Sequence, residues 1–251
     1  MGTRTFYKDE NSVILFGNML TDEKIGNEHI DLIVTSPPYN VGKNYESSSD
    51  NLDYDSYTEF TQRWLEKCLF WAKHDGRLCM NVPLDTGKGQ HQSLGADIIH
   101  IAKQVGWKYR TTIVWNEGNI SKSAARGSFM SASSPNVISP VELIVVMYKD
   151  VWKKSYRGVS DISETEFVEW TNGLWSFSGE RSSLVGHPAP FPIELPKRCI
   201  KLFSYKNDII LDPFMGSGTT LVASKILQRR SIGIDVSREY CELAFKRLLK
   251  Y

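Results

Sequence analysis

The sequence predicts an α/β fold in which a mostly parallel sheet carries helices on both faces. Short apolar runs, of which residues 31–34 are the clearest, have the composition of strands buried on both sides. Through the first half of the chain they alternate with segments whose apolar residues recur at helical spacing. Strands that alternate with helices form parallel sheets, and 251 residues with 41% hydrophobic content suffice for one such domain.

The order of the predicted elements supports that architecture. Strands are expected at residues 12–16, 30–35, 77–82, 109–115, 141–148, 208–211 and 231–235. Helices are expected at residues 56–72, 94–105, 195–204, 219–229 and 238–249. The first helix is predicted to start at a capping box, Ser56 to Glu59, and the second to stop at Gly106.

Composition excludes several classes of protein. No apolar run approaches the roughly 18 residues that span a bilayer, and no signal-peptide order opens the chain, so a soluble, cytoplasmic protein is expected. The four cysteines are scattered without metal-ligand spacing, so reduced core residues and no metal site are expected. They are Cys68, Cys79, Cys199 and Cys241.

The stretch Thr35-Ser36-Pro37-Pro38-Tyr39-Asn40 closes the most apolar predicted strand. Because prolines cannot donate to a sheet ladder, the strand must end here and leave the carbonyls of Ser36 and Pro37 free. A hydroxyl, a carbonyl and the ring of Tyr39 would offer an aromatic amine two acceptors and a surface to stack on. On its own the hexapeptide favours a simpler interpretation, a Pro-Pro turn at a strand end.

A second stretch, Leu211 to Thr220, places a glycine turn between a predicted strand and a predicted helix. Gly216 and Gly218 would let the backbone approach a ligand closely. Asp235 ends the next predicted strand 19 residues after Gly216, where an acid accepts the hydroxyls of a ribose. The stretch therefore predicts a nucleoside-binding turn, and the structural alternative is a tight turn with packing glycines.

Together the two stretches resemble the amino-methyltransferases of DNA, which move a methyl group from S-adenosylmethionine (AdoMet) to a base amino group. That family combines a Ser/Asp/Asn-Pro-Pro-Tyr/Phe catalytic motif, here Ser36 to Tyr39, with an Asp-Pro-Phe-x-Gly-Ser-Gly-Thr-Thr cofactor motif, here Asp212 to Thr220. The catalytic motif comes first, as in the β arrangement of the family. The resemblance extends from about Asn18 to Arg247 and implies a Rossmann-like AdoMet-dependent methyltransferase fold. By analogy with that fold, the strands at 31–35 and 208–211 are expected to lie side by side.

The resemblance also implies roles for particular residues. The catalytic residues would be Ser36, Pro37, Pro38 and Tyr39. AdoMet would be held by the glycine motif, by the acid after the next strand, and by a His-Pro-x-x-Phe-Pro run upstream, in which His187 is expected to be structural. These cofactor residues are Asp212, Pro213, Phe214, Gly216, Ser217, Gly218, Thr219, Thr220, Asp235, Phe191 and Pro192. Asp212 would attract the ammonium group of the methionine end.

Ser36 bears on the choice of target base. Adenine-modifying relatives mostly carry Asp at this position and cytosine-amino enzymes mostly Ser, so transfer to cytosine N4 is expected. Adenine N6 and the amino group of an RNA cytosine are the alternatives. No cysteine follows a proline, which excludes the Pro-Cys nucleophile of ring-carbon cytosine methyltransferases. A nucleotide-binding regulator is the non-enzymatic alternative, and the intact motifs argue against it.

The regular alternation of elements breaks between residues 117 and 180. In the family a variable target-recognition region separates the catalytic half, here 1–116, from the cofactor half, here 181–251. Residues 118–160 hold six basic and two acidic residues, a local charge of +4 in a chain of +1. Because Lys and Arg meet phosphates, DNA contacts are expected there, although a solvated insertion is the alternative. The expected contacts in this region are Lys122, Arg126, Lys153, Lys154 and Arg157, and Lys43 is expected to join them from the loop after the proline motif.

The resemblance finally implies partners. The substrate would be double-stranded DNA with the target base flipped out of the helix. The protein would come from a prokaryote or a phage and act as a monomer or homodimer. A cognate restriction endonuclease would accompany it without being a stable subunit.

Overall fold

A computed structural model describes residues 2–40, 44–45, 48–49, 52–85, 92–118, 127–137, 139–179 and 191–251. The strands within these residues are β1 Arg4–Lys8, β2 Ser12–Phe16, β3 Ile30–Thr35, β4 Asn44–Tyr45, β5 Ser48–Ser49, β6 Ala72–Pro83, β7 Lys108–Asn116, β8 Val141–Tyr148, β9 Leu174–Ser176, β10 Ile209–Asp212 and β11 Arg230–Asp235. The helices are α1 Tyr54–Trp71, α2 Leu94–Val105, α3 Glu164–Trp170, α4 Glu194–Phe203, α5 Thr219–Ile226 and α6 Arg238–Leu248.

One large sheet organises the molecule. Over the described residues its nine strands lie in the order β1-β2-β11-β10-β3-β6-β8-β7-β9. The five strands from β2 to β6 in this order are parallel to one another. β8 is antiparallel to both β6 and β7, between which it lies, and β1 is an antiparallel edge strand. The prediction of a mostly parallel sheet is therefore confirmed.

The central strand β3 is buried throughout and has a core on each side. Ile33 belongs to one hydrophobic cluster, which includes the buried faces of α1 and α2. Leu32 and Val34 belong to a second cluster, which includes the buried face of α4. Successive residues of a strand point to opposite faces, so a strand that is buried throughout requires helices on both faces of the sheet.

β10 lies beside β3, as predicted, with Ile210 opposite Leu32 and Leu211 opposite Ile33. From this pair β11 and β2 extend to one side of the sheet and β6 and β8 to the other. The order of the strands therefore reverses between β3 and β10. Ligands of such sheets bind outside the carboxyl ends of the strands at the point of reversal.

The predicted start of α1 is wrong. The helix begins at Tyr54, and the side chain of Asp53 caps it by accepting a hydrogen bond from the backbone N–H of Ser56 at 2.9 Å. Ser56 therefore lies inside the first turn instead of capping it. A carboxylate at the N-cap satisfies an otherwise unpaired N–H and also interacts favourably with the helix dipole. The predicted stop of α2 is confirmed, because Gly106 follows it with φ of 120°.

Five short elements were not predicted, namely β1, β4, β5, α3 and β9. β6 is longer than predicted because it begins at Ala72, and its register with β3 shifts between the pairs Ile30–Ala72 and Leu32–Arg77. The four cysteines are buried and free, as predicted. None of the helices in the described part of the chain is long and apolar enough to cross a membrane.

Candidate active site

The two sequence motifs meet at the carboxyl ends of β3 and β10. Thr35, the last residue of β3, donates a hydrogen bond from its hydroxyl to Oδ1 of Asp212, the last residue of β10, at 2.8 Å. Both side chains are buried. A direct hydrogen bond therefore joins the residues from which the proline-containing stretch and the glycine turn begin. These two residues are 177 positions apart in the sequence.

The proline-containing stretch is held in place by α1 and by its own last residue. The hydroxyl of Tyr57 in α1 donates to the carbonyl of Pro38 at 3.1 Å. Asn40 adopts a φ of 54°, and its amide group pairs with both backbone groups of Leu52 at 2.8 Å. Asn is among the few residues that tolerate this left-handed conformation. These bonds fix the main chain on which Ser36 and Tyr39 stand.

The hydroxyl of Tyr39 is the centre of a polar network at this strand end. It lies 2.7 Å from Oγ of Ser36, 3.0 Å from the carbonyl of Asn81 and 3.2 Å from Oε2 of Glu142. The side-chain amide of Asn81 donates to the same phenol oxygen at 3.0 Å and also donates to Oε2 of Glu142. β6 supplies Asn81 and β8 supplies Glu142, which lies opposite Pro83 in the sheet.

The phenol of Tyr39 has one hydrogen, for which the carbonyl of Asn81 and the carboxylate of Glu142 are acceptors. When the phenol donates to either of them, the hydroxyl of Ser36 donates to Tyr39. Its lone pairs are then available to accept an N–H from a ligand.

Asp212 is a buried carboxylate whose two oxygens differ in their contacts. Oδ1 accepts from Thr35 and from the backbone N–H of Phe214 at 3.2 Å. Oδ2 is buried without a hydrogen-bond donor among the described residues. Burial raises the pKa of Asp212 to about 6, and the negative charge of Asp235 adds to this effect. An unpaired buried carboxylate oxygen fits a ligand that brings a cationic donor, as the methionine ammonium of AdoMet does.

The glycine turn has the conformation that its sequence predicts. Gly216 and Gly218 have φ of 48° and 76°, a region that favours glycine. A Cβ on Gly218 would lie 2.6 Å from the Cβ of Ala244. Asp235 accepts a hydrogen bond from the N–H of Gly216 at 2.8 Å through Oδ2, and burial raises its pKa to about 6. The acid at the end of β11 therefore contacts the turn itself.

Other side chains of the cofactor motif face inward. The hydroxyls of Ser217 and Thr219 accept from the guanidinium of Arg247 at 2.8 and 3.0 Å. Thr220 is fully buried, and its hydroxyl lies 3.4 Å from the carbonyl of Val34. Contacts from these three residues to a cofactor would therefore come from the backbone or need a rearrangement of these side chains.

The aromatic and proline residues predicted to hold AdoMet have packing roles. Phe214 contacts the ring of Trp64 edge-on at a centroid distance of 5.6 Å, and Pro213 is buried. Phe191 packs against the second core cluster, and Pro192 accepts a backbone hydrogen bond at the start of α4. His187 lies outside the described residues.

Three of the residues predicted to contact DNA are described by the structure, and they lie away from this site. Lys154 has a side chain only 5% exposed, within 3.8 Å of the carboxylates of Asp31, Asp75 and Asp208. Its predicted role in DNA binding is therefore wrong, because a buried and paired ammonium cannot reach a phosphate. The exposed Lys153 and Arg157 flank it at the amino ends of the parallel strands, opposite Ser36 and Asp212. Lys43, Lys122 and Arg126 lie outside the described residues.

Sequence reasoning missed Asn81 and Glu142. A weak signal for each was present, since Asn81 is a polar residue within an apolar strand and Glu142 is the first acid after Glu117. Neither signal indicates that the two side chains meet, because their contact depends on the insertion of β8 beside β6.

The sheet and its site define a class of protein. A Rossmann-like sheet with a proline-closed strand beside a glycine turn, both at the point of strand reversal, is typical of methyltransferases that use a nucleoside cofactor. A family profile described as DNA methylase, which covers the N6 and N4 enzymes, matches residues 30–246.

Individual relatives agree with that profile. The type II methyltransferase M.MjaVI of Methanocaldococcus jannaschii is 55% identical over 170 residues, which are 68% of this chain and 88% of the relative. The type II methyltransferase M.HpaI of Haemophilus parainfluenzae is 31% identical over 223 residues, or 87% of this chain and 68% of the relative. The chain therefore belongs to the DNA methylase family and is a type II amino-methyltransferase of DNA that uses AdoMet, as predicted.

Solved structures confirm the predicted fold class. A DNA modification methylase of Thermus thermophilus, complexed with S-adenosyl-L-methionine, has a TM-score of 0.71 at 23% identity over 94% of this chain and 92% of its own. The PvuII DNA methyltransferase, described as cytosine-N4-specific, has a TM-score of 0.78 at 21% identity over 97% of this chain and 88% of its own.

Proposed function

We propose that this enzyme transfers a methyl group from AdoMet to the N4 amino group of a cytosine flipped out of duplex DNA. The observation that carries this proposal is the position of the Ser36 hydroxyl. It follows Thr35, which is bonded to the cofactor motif, and it lies 2.7 Å from the hydroxyl of Tyr39. A serine hydroxyl that donates to Tyr39 can accept an N–H of an amine. The serine itself favours cytosine over adenine, by resemblance to the cytosine-amino enzymes.

The residues that would hold AdoMet fit its charges and its ribose. Asp212 would receive the methionine ammonium on its unpaired oxygen, and Asp235 would accept ribose hydroxyls at the end of β11. The backbone of Gly216 and Gly218 allows close approach. When bound, AdoMet supplies a methyl group activated by a sulfonium.

The residues around the target amine would orient it. The exocyclic amine of cytosine is a poor nucleophile because its lone pair is shared with the ring. Hydrogen bonds from its two N–H groups to Ser36 and to the carbonyl of Pro37 would localise and aim that pair, while the ring of Tyr39 covers the base. Orientation of this kind contributes several kcal/mol without a covalent intermediate. Flipping the base costs a few kcal/mol, which stacking partly offsets.

The described part of the target-recognition region, within 117–180, supports a surface that faces DNA. Residues 127–137 form a turn closed by hydrogen bonds from the N–H of Ser128 to the carbonyl of Ser134 and from the N–H of Ser134 to the hydroxyl of Ser128, both at 2.8 Å. Phe129 and Met130 at its tip are 80% and 91% exposed. The turn connects β7 to β8 on the side of the sheet where β3 and β10 end. Large apolar side chains on such a turn suit contact with unstacked bases.

The test is the identity of the methylated nucleoside. Unmethylated DNA incubated with the enzyme and AdoMet is digested and analysed by mass spectrometry, and N4-methylcytosine is expected. Ser36→Ala should lower the yield while leaving AdoMet affinity nearly unchanged, because Ser36 contacts the base and not the cofactor. N6-methyladenine as the product would overturn the cytosine assignment, and methylation of ribosomal RNA alone would overturn DNA as the substrate.

The enzyme would act with a separate restriction endonuclease of the same specificity, as a monomer or homodimer. Size-exclusion chromatography with light scattering measures the oligomeric state. Protection of the methylated DNA from a co-encoded nuclease tests the partnership.

A further inference from the structure

We propose that Glu142 is the terminal proton acceptor of the methyl transfer and that it acts on Ser36 through the hydroxyl of Tyr39. The proposal rests on the proposed function only in requiring that an exocyclic amine is methylated beside Ser36. It assigns Glu142 a positioning role, because the carboxylate reaches the amine through two other side chains. We call the three residues the Ser36–Tyr39–Glu142 relay.

The relay is a continuous chain of hydrogen bonds. Ser36 Oγ lies 2.7 Å from the oxygen of Tyr39, which lies 3.2 Å from Oε2 of Glu142. The amide of Asn81 donates to both the phenol and the carboxylate and so holds them together. Asn81 is 2% exposed, so this brace is buried. The phenol donates to Glu142, and the hydroxyl of Ser36 is placed to donate to the phenol, which is the direction in which a proton would leave the amine.

The proton balance of the reaction requires such an acceptor. As the bond from nitrogen to the methyl carbon forms and the carbon–sulfur bond breaks, the amine nitrogen becomes positively charged and must lose one proton. That proton moves to Ser36, the hydrogen of Ser36 moves to Tyr39, and the hydrogen of Tyr39 moves to Glu142. One proton is transferred to one carboxylate, and nothing is oxidised or reduced.

The carboxylate also has a route to water. Glu142 lines an open cleft of about 190 Å³ whose lining does not include Ser36 or Tyr39. The other titratable groups that line this cleft are Asp85 and Glu117, and no Lys or Arg lines it among the described residues. Glu142 can therefore pass the proton to solvent after each turnover.

Two variants remove successive members of the relay without changing their size. Glu142→Gln keeps a hydrogen-bonding group of the same shape but not the proton acceptor, and Tyr39→Phe removes the linking hydroxyl. Single-turnover transfer is measured with saturating AdoMet on unmethylated DNA. Each variant should slow transfer about 100-fold, the usual contribution of a general base. Asp85→Asn is the matched control, since Asp85 lines the same cleft outside the relay, and it should transfer at the wild-type rate.

The double variant separates a relay from independent effects. Because each single change interrupts the same chain, Tyr39→Phe with Glu142→Gln should be no slower than either single variant. Losses that multiply to about 10,000-fold would contradict a serial path. AdoMet affinity by calorimetry and the melting temperature should stay at wild-type values in Glu142→Gln. A variant that loses transfer only together with AdoMet affinity or thermal stability would show a structural role and overturn the proposal.

The pH profile provides a second signature. In the wild type the single-turnover rate should fall on the acid side as Glu142 becomes protonated, and Glu142→Gln should lose this limb. Saturating AdoMet keeps the protonation of Asp212 out of the measurement. An unchanged acid limb in Glu142→Gln would contradict the relay. The nucleoside product tests the proposed function separately, because the relay applies equally to an adenine amine.

Discussion

Both ends of the sheet contain buried carboxylates, but the groups that pair with these carboxylates differ. At the amino ends of the strands Asp31, Asp75 and Asp208 surround the ammonium of Lys154 at 3.6 to 3.8 Å. Although burial raises the pKa of Asp75, hydrogen bonds from Ser155 and the charge of Lys154 bring it below its usual value. Burial and the negative charge of Asp31 raise the pKa of Asp208.

At the carboxyl ends Asp212 is buried and Asp235 is half-buried, and neither forms an ion pair with any described Lys or Arg. They are stabilised by hydroxyl and backbone N–H donors only, and burial raises the pKa of each to about 6. The carboxylates of the first end are paired with ammonium groups, and those of the second end are not. We therefore expect the amino end to serve stability, and the carboxyl end to keep its negative charge for a cationic ligand at some cost to stability.

The largest expected effect tests the ion-paired amino end. Lys154→Met should lower the free energy of unfolding by about 3–5 kcal/mol, because it leaves three buried carboxylates with one partly exposed partner, Lys73. Thermal unfolding checks this. The remaining folded protein should bind AdoMet with wild-type affinity.

Lys153→Met is the matched control for this change, since Lys153 is the exposed neighbour of Lys154. Its effect should stay below about 0.5 kcal/mol. If the two variants were equally stable, Lys154 would not be the central charge of the amino end. A loss of DNA affinity in Lys154→Met at full stability would restore its predicted contact with phosphate.

The second prediction compares one carboxylate from each end. Asp212→Asn should weaken AdoMet binding about 100-fold by removing the partner of its ammonium. The same change should stabilise the cofactor-free protein at pH 7, because it removes a buried charge whose pKa is raised to about 6, an effect of about 1–3 kcal/mol.

Asp75→Asn should change the stability of the protein in the opposite direction. Asp75 accepts two hydrogen bonds from Ser155 at 2.6 Å, and its lowered pKa means that the ionised form stabilises the fold. Its loss should cost about 1–3 kcal/mol and leave AdoMet affinity unchanged. Calorimetric titration and thermal melting of both variants decide the comparison. Changes of the same sign in the two proteins would remove the distinction between the ends.

Sequence alone could predict the parts of the fold and site that are encoded locally. The apolar run of β3, the prolines after it and the glycine turn after β10 each have a composition that permits few structures. Their adjacency followed from the resemblance of the motif pair. The prediction was weakest where a side chain's partners lie far along the chain.

Lys154 shows this limit most clearly. Its alternation with aromatic residues is typical of a nucleic-acid footprint, but Asp31, which it contacts, lies 123 residues upstream. Glu142 lies on a correctly predicted strand, yet its role depends on Asn81, 61 residues away. Neither contact leaves a local pattern, because burial of a charge is decided by the strand order and not by its neighbours in sequence.

The third prediction concerns pH. Since Asp212 must be ionised to attract the ammonium, AdoMet affinity should be constant above its pKa of about 6 and fall up to tenfold per pH unit below it. Calorimetric titration between pH 5 and pH 8 measures this, with Asp212→Asn as the control that should show no such dependence. Constant wild-type affinity down to pH 5 would mean that the carboxyl end does not hold the cofactor by charge.

The smallest expected effect concerns the bond that joins the two motifs. Thr35→Val keeps the shape of the side chain but removes the hydroxyl that donates to Asp212 Oδ1 at 2.8 Å. The carboxylate then loses one of the donors that favour its ionised form, so AdoMet affinity at pH 7 should fall about 3- to 10-fold. Thr61→Val is the control, because Thr61 is equally buried and its hydroxyl has no hydrogen-bond partner among the described residues. Equal AdoMet affinities for the two variants would show that Asp212 is positioned without Thr35, and the comparison of the two ends would then depend on burial alone.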